Sequence, residues 1–453
     1  MKKQWTLLLA AALMMGAPST FVSCGDDDPD PSSKPTDPSN PSNPDDPGSE
    51  PGDNDNVNDK KLTSEAQKQK LEQTAREFMA EVPSSEFKAI QQLATDVNDL
   101  YVDNDRFDHS VVTDWFEALV NSHRTFDRED SYTYYTDRYY KRLIYLSQFT
   151  GSFKANGNKW TKKDASNLEF EFTDRNNQKC VCTLTTSGNV AKVYVGESWD
   201  DEYYDKNDRW VSEINNNYLY VPEHISLKLT QGGTTLVSSQ VDIDHSQFAG
   251  PEYDLSRDAL STSVTAKVQN FTWVVNRLAH NGVKGSAEVN GYMAKGNTKL
   301  VTFEGTVADT KLNDDYELVQ GGAAKASVDI MGKVQIKGTC SNVKTFVDYL
   351  DKANRNEENE STFKSYVNQA NSLIDMCMYF DKGKTQQAKM RLDCFEDGWP
   401  GYKYWTCEPV LVFDDGSSYS TFEAFFDEVS FRKVIDLFND LLRGYEDMVD
   451  DFE

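Results

Sequence analysis

The chain has 453 residues and a formal net charge of −27 at pH 7, so it would repel the phosphate backbone of nucleic acids. Seven cysteines without a Cys-x-x-Cys pair and five histidines without short metal-ligand spacings predict no metal site and no cofactor. A length well above ~250 residues suits two or three domains, or one large core with additions.

Residues 1–23 have the pattern of a secretory signal peptide. Two lysines precede an apolar run over residues 5–15, and the sequence Thr-Phe-Val-Ser at 20–23 leads to Cys24. The run is shorter than the ~20 residues that a membrane span requires. A cysteine at the cleavage point predicts a lipoprotein, in which the Cys24 thiol is acylated and inserts into outer-membrane lipid.

Residues 24–59 follow as an acidic, proline-rich stalk. Residues 25–59 hold eight of the fourteen prolines and only one lysine, and such a segment buries too little apolar surface to fold. Asp26, Asp27 and Asp28 resemble the acidic tag of lipoproteins that Gram-negative gut bacteria export to the outer face of the outer membrane. The resemblance implies a lipid-anchored protein at the cell surface, facing the extracellular side. The chain also resembles uncharacterised lipoproteins of the same bacterial group in Trp160 after Phe149-Thr150-Gly151, in Val221-Pro222-Glu223 and in Glu408-Pro409 with Phe413-Asp414-Asp415-Gly416, which implies a shared fold and no known activity.

Residues 60–148 are predicted to form a helical region. A first helix begins with a capping box at Ser64 and ends before Pro83, and a second begins at Ser84 or Ser85. A third helix is expected over residues 111–120. Apolar and aromatic residues at helical spacing predict a fourth helix. Its face would consist of Tyr132, Tyr135, Tyr139, Leu143 and Leu146.

Residues 149–338 change to a period of two, typical of an antiparallel β-meander with about ten strands. Residues 339–453 return to helices with caps at Ser341 and Ser361, then strands over 376–381, 386–396 and 405–414, then a C-terminal helix with an apolar stripe over 431–449. The predicted fold class is α+β, a central antiparallel β-meander sheet with N-terminal and C-terminal helices packed on it.

The strands 386–396 and 405–414 flank Trp-Pro-Gly-Tyr at 399–402, which favours a tight hairpin. If the turn is centred between residues 400 and 401, Cys394 lies directly opposite Cys407. Opposed residues have Cα atoms ~4.5–5.5 Å apart, within disulfide range. We therefore expect the two cysteines to be neighbours and to form a disulfide after export.

The segment from residue 199 to residue 210 is the candidate ligand-binding segment. It contains Trp199, Tyr203, Tyr204 and Trp210 among five carboxylates, and it is predicted to be a loop between two groups of strands. Aromatic rings stack on sugars or cations. Binding requires that at least one of the two tryptophans be exposed to solvent.

No nucleophile elbow, paired-histidine motif or phosphate-binding loop is present, so the sequence predicts no catalytic residues. The predicted function is a lipid-anchored binding or structural lipoprotein of the cell surface, with a glycan or a protein as its ligand. One alternative is a carrier of a lipid or another hydrophobic ligand in a cavity between sheet and helices. A second alternative is a carboxylate-dependent hydrolase.

Overall fold

The computed structural model of the chain describes residues 60–420, except 83, 103, 247–251, 255, 256, 314–317 and 400. The predicted signal peptide, the acidic stalk and the C-terminal helix over 431–449 lie outside the described residues. Most of the described residues are in strands, and an 18-stranded sheet dominates the fold. The central sheet is thus confirmed.

The helices occur in two groups, one before the main run of strands and one late in the chain. In chain order they are α1 (Ser64–Glu81), α2 (Lys88–Val97), α3 (Ser110–Asn121), α4 (Val343–Asn354) and α5 (Glu360–Asn371).

The first three predicted helices and the late helical pair are present, but their predicted caps are wrong. Before α1, Oγ1 of Thr63 accepts from the backbone N–H of Ala66 at 3.3 Å, and α2 begins at Lys88 without a side-chain cap.

Asn342 and Asn359 cap α4 and α5, each accepting a hydrogen bond from the backbone N–H three residues later, at 2.9 and 3.0 Å. Ser341 and Ser361 lie one residue before and two residues after these positions. Asparagine and serine cap helices equally well, so the sequence leaves the choice open.

The strands span the chain from residue 124 to residue 420. The first ten are β1 (Arg124–Ser131), β2 (Tyr135–Tyr145), β3 (Gly151–Asn156), β4 (Lys159–Lys163), β5 (Leu168–Thr173), β6 (Lys179–Tyr204), β7 (Trp210–Gln231), β8 (Thr234–Asp244), β9 (Ala259–Val268) and β10 (Phe271–Asn281). The others are β11 (Ser286–Lys295), β12 (Thr298–Val307), β13 (Lys311–Leu312), β14 (Leu318–Gln320), β15 (Ala324–Ile330), β16 (Val334–Cys340), β17 (Ile374–Phe380), β18 (Ala388–Trp399), β19 (Tyr402–Val412) and β20 (Ser418–Ser420).

The sheet branches at β7, because two different strands pair with the two halves of one of its edges. From β6 to β12, each strand pairs antiparallel with the next one in the chain. β12 then pairs with β15, and the antiparallel order continues from β15 to β20. β13 and β14 form a separate two-stranded sheet. The N-terminal half of β7 instead pairs in parallel with β2, on the same edge that holds β8 farther along. A second parallel pair joins β3 to β5. The sheet is therefore mixed, and the prediction of a purely antiparallel meander is wrong in these two places.

The predicted fourth helix is wrong, because its residues form β2. Tyr135, Tyr139 and Leu143 are spaced by four residues, and side chains four apart share a face in a helix and also in a strand. The pattern therefore fitted both structures. Pairing with β1 and β7 decides for the strand. The helical region accordingly ends at α3 instead of at residue 148.

Aromatic and aliphatic side chains fill the space between the sheet and the N-terminal helices. Phe87, before α2, stacks on Phe271 of β10 with ring centroids 4.9 Å apart, and Phe153 of β3 is fully buried in the same cluster. Leu71 of α1 packs in a second cluster on β16 to β19. Phe363 of α5 centres a third on β18 and β19. A fully buried side chain of this size stabilises the fold by about 2 kcal/mol.

The first described residues are attached to the sheet by side-chain hydrogen bonds. The backbone N–H of Leu62 donates to Oε1 of Gln387 at 2.9 Å, and Nε2 of Gln387 donates to the carbonyl of Lys60 at 3.2 Å. Gln67 of α1 donates to the carbonyl of Leu62 at 2.8 Å. The chain entering the body is thus bonded to the segment just before β18.

The β18–β19 hairpin has the predicted register. Trp399 pairs with Tyr402 at the turn, and Cys394 lies directly opposite Cys407. The prediction that the cysteines are neighbours is confirmed. Both thiols are free in the structure, so the disulfide stays a prediction. Burial raises the pKa of Cys394 to about 11 and that of Cys407 to about 12.

We expect Cys394 and Cys407 to be oxidised to a disulfide in the exported protein. Their raised pKa values leave little thiolate in the folded state, so the bond should form during folding after export. The measurement is alkylation of unfolded, unreduced protein followed by peptide mass spectrometry. Cys180 and Cys182 serve as labelled controls, since they lie on one strand. Labelling of all four cysteines contradicts the bond.

Candidate functional site

The distal part of the long β6–β7 hairpin joins β1 and β2 in a four-stranded layer that we call the arm. It consists of β1, β2, residues 190–204 of β6 and residues 210–220 of β7, in the order β1–β2–β7–β6. Among the described residues, the three hydrophobic clusters draw no member from these segments. Side-chain contacts within the arm hold it together, and α3 also packs against β2.

The predicted loop over residues 199–210 is instead the end of this hairpin. Only residues 205–209 form the turn. Asp205 accepts hydrogen bonds from the backbone N–H groups of Asn207 and Arg209 at 2.8 and 3.1 Å, and from the Arg209 guanidinium at 2.8 and 3.0 Å. The Arg209 side chain, together with the backbone bonds, lowers the pKa of Asp205 to about 2. Asp205 is one of the five carboxylates in the predicted loop, and it closes a tight turn at the end of the hairpin.

One face of the arm is aromatic, and we call it the aromatic face. Pairing places nine rings from three strands on it: Tyr135, Tyr139, Tyr145, Tyr194, Trp199, Tyr204, Trp210, Tyr218 and Tyr220. Trp199 is 57% exposed and Tyr204 is 66% exposed. Trp210 is half-buried, with its ring 4.9 Å from that of Tyr204. The exposure that ligand binding requires is present at Trp199.

Tyr203 lies on the opposite face and does not join the other three candidate residues. An irregularity between Trp199 and Glu202 shifts the register, so Trp199 and Tyr204 share a face although five residues separate them. An ordinary strand would put residues five apart on opposite faces. The bulge therefore places Trp199 on the same face as Tyr204 and Trp210.

The opposite face, which we call the polar face, is organised around Glu213 of β7. Its Oε2 accepts from Arg124 of β1 at 2.8 Å, and its Oε1 accepts from the hydroxyls of Tyr203 of β6 at 3.0 Å and Tyr140 of β2 at 3.4 Å. Arg138 of β2 donates to the Tyr203 hydroxyl. One carboxylate thus connects all four strands of the arm.

The contacts of Glu213 determine its charge state. Burial alone raises a carboxyl pKa, but the hydrogen bonds from Arg124 and Tyr203 outweigh it, and the net pKa of Glu213 is below the ordinary 4.5. The Arg124 guanidinium carbon also lies 3.8 Å from the centre of the Tyr140 ring. The cation is therefore held between a carboxylate and an aromatic face.

The outer edge of the arm is β1, and it is protected by charge. Seven of its eight residues are exposed, and its sequence is Arg-Thr-Phe-Asp-Arg-Glu-Asp-Ser. Charged side chains on an edge strand discourage pairing with a strand from another chain. Residues 190–204 of β6 form the opposite edge, where the pairing described is an isolated bridge from Val193 to Tyr253.

A second group of exposed rings lies at the tip of the β18–β19 hairpin. Trp399 is 63% exposed, and its ring lies 4.9 Å from that of Tyr402. This group is much smaller than the aromatic face. It provides an exposed tryptophan outside the arm, useful for comparison.

Within the described ranges of the chain, no group of three or more acidic, histidine or cysteine side chains is arranged to hold a metal ion. The described helices are also too short or too polar to cross a membrane. Phe87, Phe153 and Phe271 belong to one buried cluster between the sheet and the N-terminal helices.

No protein-family model, curated protein or solved structure matches the chain. The arm is therefore interpreted from its own geometry.

Sequence reasoning missed the polar face. Arg124, Glu213 and Asn215 are far apart in the chain, and ordinary charged and amide residues give no motif. The segment Glu213-Ile214-Asn215-Asn216-Asn217 does not alternate between apolar and polar residues, so its periodicity does not identify this face. Its partners depend on the parallel pairing with β2, which no local pattern encodes.

We expect Glu213→Gln to loosen the arm by about 2 kcal/mol, because Arg124 would lose its charged partner. Since the folded pKa of Glu213 is lowered, its stabilisation is present above the ordinary value of 4.5 and is lost as pH falls through the folded pKa. Hydrogen exchange of the amides of β1, β2 and β7 measures both effects.

Glu197→Gln is the matched control, because Glu197 is exposed on the same arm. It should leave exchange in β1 and β2 unchanged. Equal effects of the two substitutions, or an unaltered acid dependence in Glu213→Gln, would contradict the role of Glu213.

Proposed function

We propose that the chain is a lipid-anchored protein of the bacterial cell surface that binds a neutral polysaccharide on the aromatic face of the arm. The supporting observation is the exposure of Trp199 beside Tyr204 and Trp210 on one side of a single sheet layer. Large exposed ring surfaces on soluble proteins mark interaction sites. Ring faces stack on the apolar faces of sugars.

The spacing of the rings favours an extended ligand. Trp199 pairs with Ile214, and Tyr204 pairs with Trp210, four residues away along β7. Four residues of a strand span about 13 Å. A ligand that contacts both ring positions must therefore be an oligomer, and a flat platform suits a polymer chain better than a single sugar.

The polar groups between the rings favour a glycan over a protein ligand. Asp137, Glu197 and Glu202 lie on the aromatic face among the rings. The cores of protein interfaces are depleted of such charges. Carboxylates accept hydrogen bonds from sugar hydroxyls. The net charge of −27 disfavours an acidic polymer on this face, so the polysaccharide is expected to be neutral.

The prediction is that Trp199→Ala weakens binding of a neutral polysaccharide by about tenfold or more, since a stacked ring at the centre of a site contributes at least ~1.4 kcal/mol. A glycan array with the full-length chain in detergent identifies the polysaccharide. Affinity electrophoresis in gels containing it then compares the variants.

Trp399→Ala is the matched control, because Trp399 is similarly exposed but lies outside the arm. It should leave binding intact. Loss of binding in Trp399→Ala with retention in Trp199→Ala would transfer the site to the β18–β19 hairpin. If no neutral polysaccharide binds the unaltered chain, the proposal is wrong.

The location is part of the proposal and follows from the sequence. Acylated Cys24 would anchor the chain in outer-membrane lipid, and residues 25–59 would hold the body away from the surface. A protein placed in this way can contact polymers outside the cell. The carrier and hydrolase alternatives have no comparable support among the described residues.

We expect protease added to intact cells to remove the protein. Replacing Asp26, Asp27 and Asp28 with alanine should leave the protein lipidated but protected, because the export tag is lost. The same triple replacement at Asp45, Asp46 and Asp53 in the stalk is the control and should stay protease-sensitive. Equal sensitivity of all forms rejects the export tag.

A further inference from the structure

The polar face contains a group of polar residues that the proposed glycan site does not use, and we call this group the niche: Arg142, Asn215 and Asn217. Asn217 of β7 has Gly196 of β6 opposite it on one side and Arg142 of β2 on the other. Gly196 has a φ of +117°, which favours glycine, and it leaves no side chain on that side of Asn217. The register shifts between Tyr194 and Gly196, so this glycine lies at a β-bulge.

The floor of the niche holds a buried hydrogen-bond donor without a partner. Asn215 is 0% exposed, and its Oδ1 accepts from Nε of Arg124 at 2.8 Å. A guanidinium can only donate, so this bond fixes the orientation of the amide. Nδ2 of Asn215 therefore points away from Arg124, and it has no hydrogen-bond partner.

A hydrogen-bond acceptor lies two residues farther along β7, on Asn217. Nδ2 of Asn217 donates to Oγ of Ser198 at 2.9 Å, which leaves Oδ1 of Asn217 without a partner. Residues two apart on a strand are ~6.5–7 Å apart on the same face. A donor and an acceptor thus stand side by side, and an unsatisfied buried polar group costs ~1–3 kcal/mol.

Positive charge is concentrated beside this pair. Arg124 and Arg142 are directly opposed on β1 and β2, and like charges in that position destabilise a sheet. Arg142 also reaches Ser198, with Nη1 3.5 Å from Oγ. Arg124 is ion-paired with Glu213, so the cation that would contact an anion at this site is Arg142.

We propose that this niche binds a hydroxycarboxylate, such as the uronic acid unit of an acidic sugar. The carboxylate accepts hydrogen bonds from Arg142 and from Nδ2 of Asn215. A hydroxyl next to the carboxylate donates to Oδ1 of Asn217. The site lies on the face opposite the rings and is independent of the neutral polysaccharide.

The test is titration calorimetry of the full-length chain in detergent with three probes. Glucuronate carries both groups and should bind, whereas glucose lacks the carboxylate and acetate lacks the hydroxyl. Both should bind at least about tenfold more weakly. Equal binding of all three, or no binding of glucuronate, overturns the proposal. Binding of acetate as tight as that of glucuronate reduces the site to a simple anion site and contradicts the role of Asn217.

Two variants locate the site. Arg142→Met keeps the stem of the side chain, and Asn217→Asp keeps its shape but adds a repelling charge. Each should weaken glucuronate binding by about tenfold or more. Asn217→Asp decides the question if Arg142→Met fails to fold. Arg391→Met, at an exposed arginine outside the arm, and Trp199→Ala should both bind normally. Normal binding by both niche variants refutes the assignment.

Discussion

The length of the β6–β7 hairpin is the constraint on which the rest of the sheet depends. Its strands have 26 and 22 residues, about twice the length of most others. One half pairs with β5 and β8 and buries Cys180 in the main cluster. The other half extends beyond β8 and must find different partners for its backbone groups. β2 supplies them for β7, β1 in turn pairs with β2, and this requirement creates the arm.

The sequence predicts well the parts of the fold that depend on local patterns. The β18–β19 register follows from Pro-Gly at the turn, and Cys394 faces Cys407 as counted from it. The first three helices follow from apolar periodicity. The fourth helix fails because Tyr135, Tyr139 and Leu143 fit both periods. Pairing with β1 and with the parallel partner β7, which is 75 residues away at the start of the pairing, resolves that ambiguity.

Local sequence patterns predict only part of the candidate site. Composition identifies Trp199, Tyr204 and Trp210 as unusual, but their common face depends on a register shift that composition does not encode. The polar face is harder still, because Glu213 collects partners from three other strands. Each partner is an ordinary residue in its own segment. Their meeting is a property of the strand order and cannot be derived from any one stretch of the chain.

The attachment of Leu62 to Gln387 also has a mechanical consequence. If residues before Lys60 tether the body, any pull on the tether enters the molecule where several hydrogen bonds share the load. Those bonds must shear together, and α1 cannot peel away until Leu71 leaves its buried site. The tether joins the sheet next to β18, whereas the arm branches from β7. Tension between an anchored cell and a held polymer would therefore be carried across the body of the sheet.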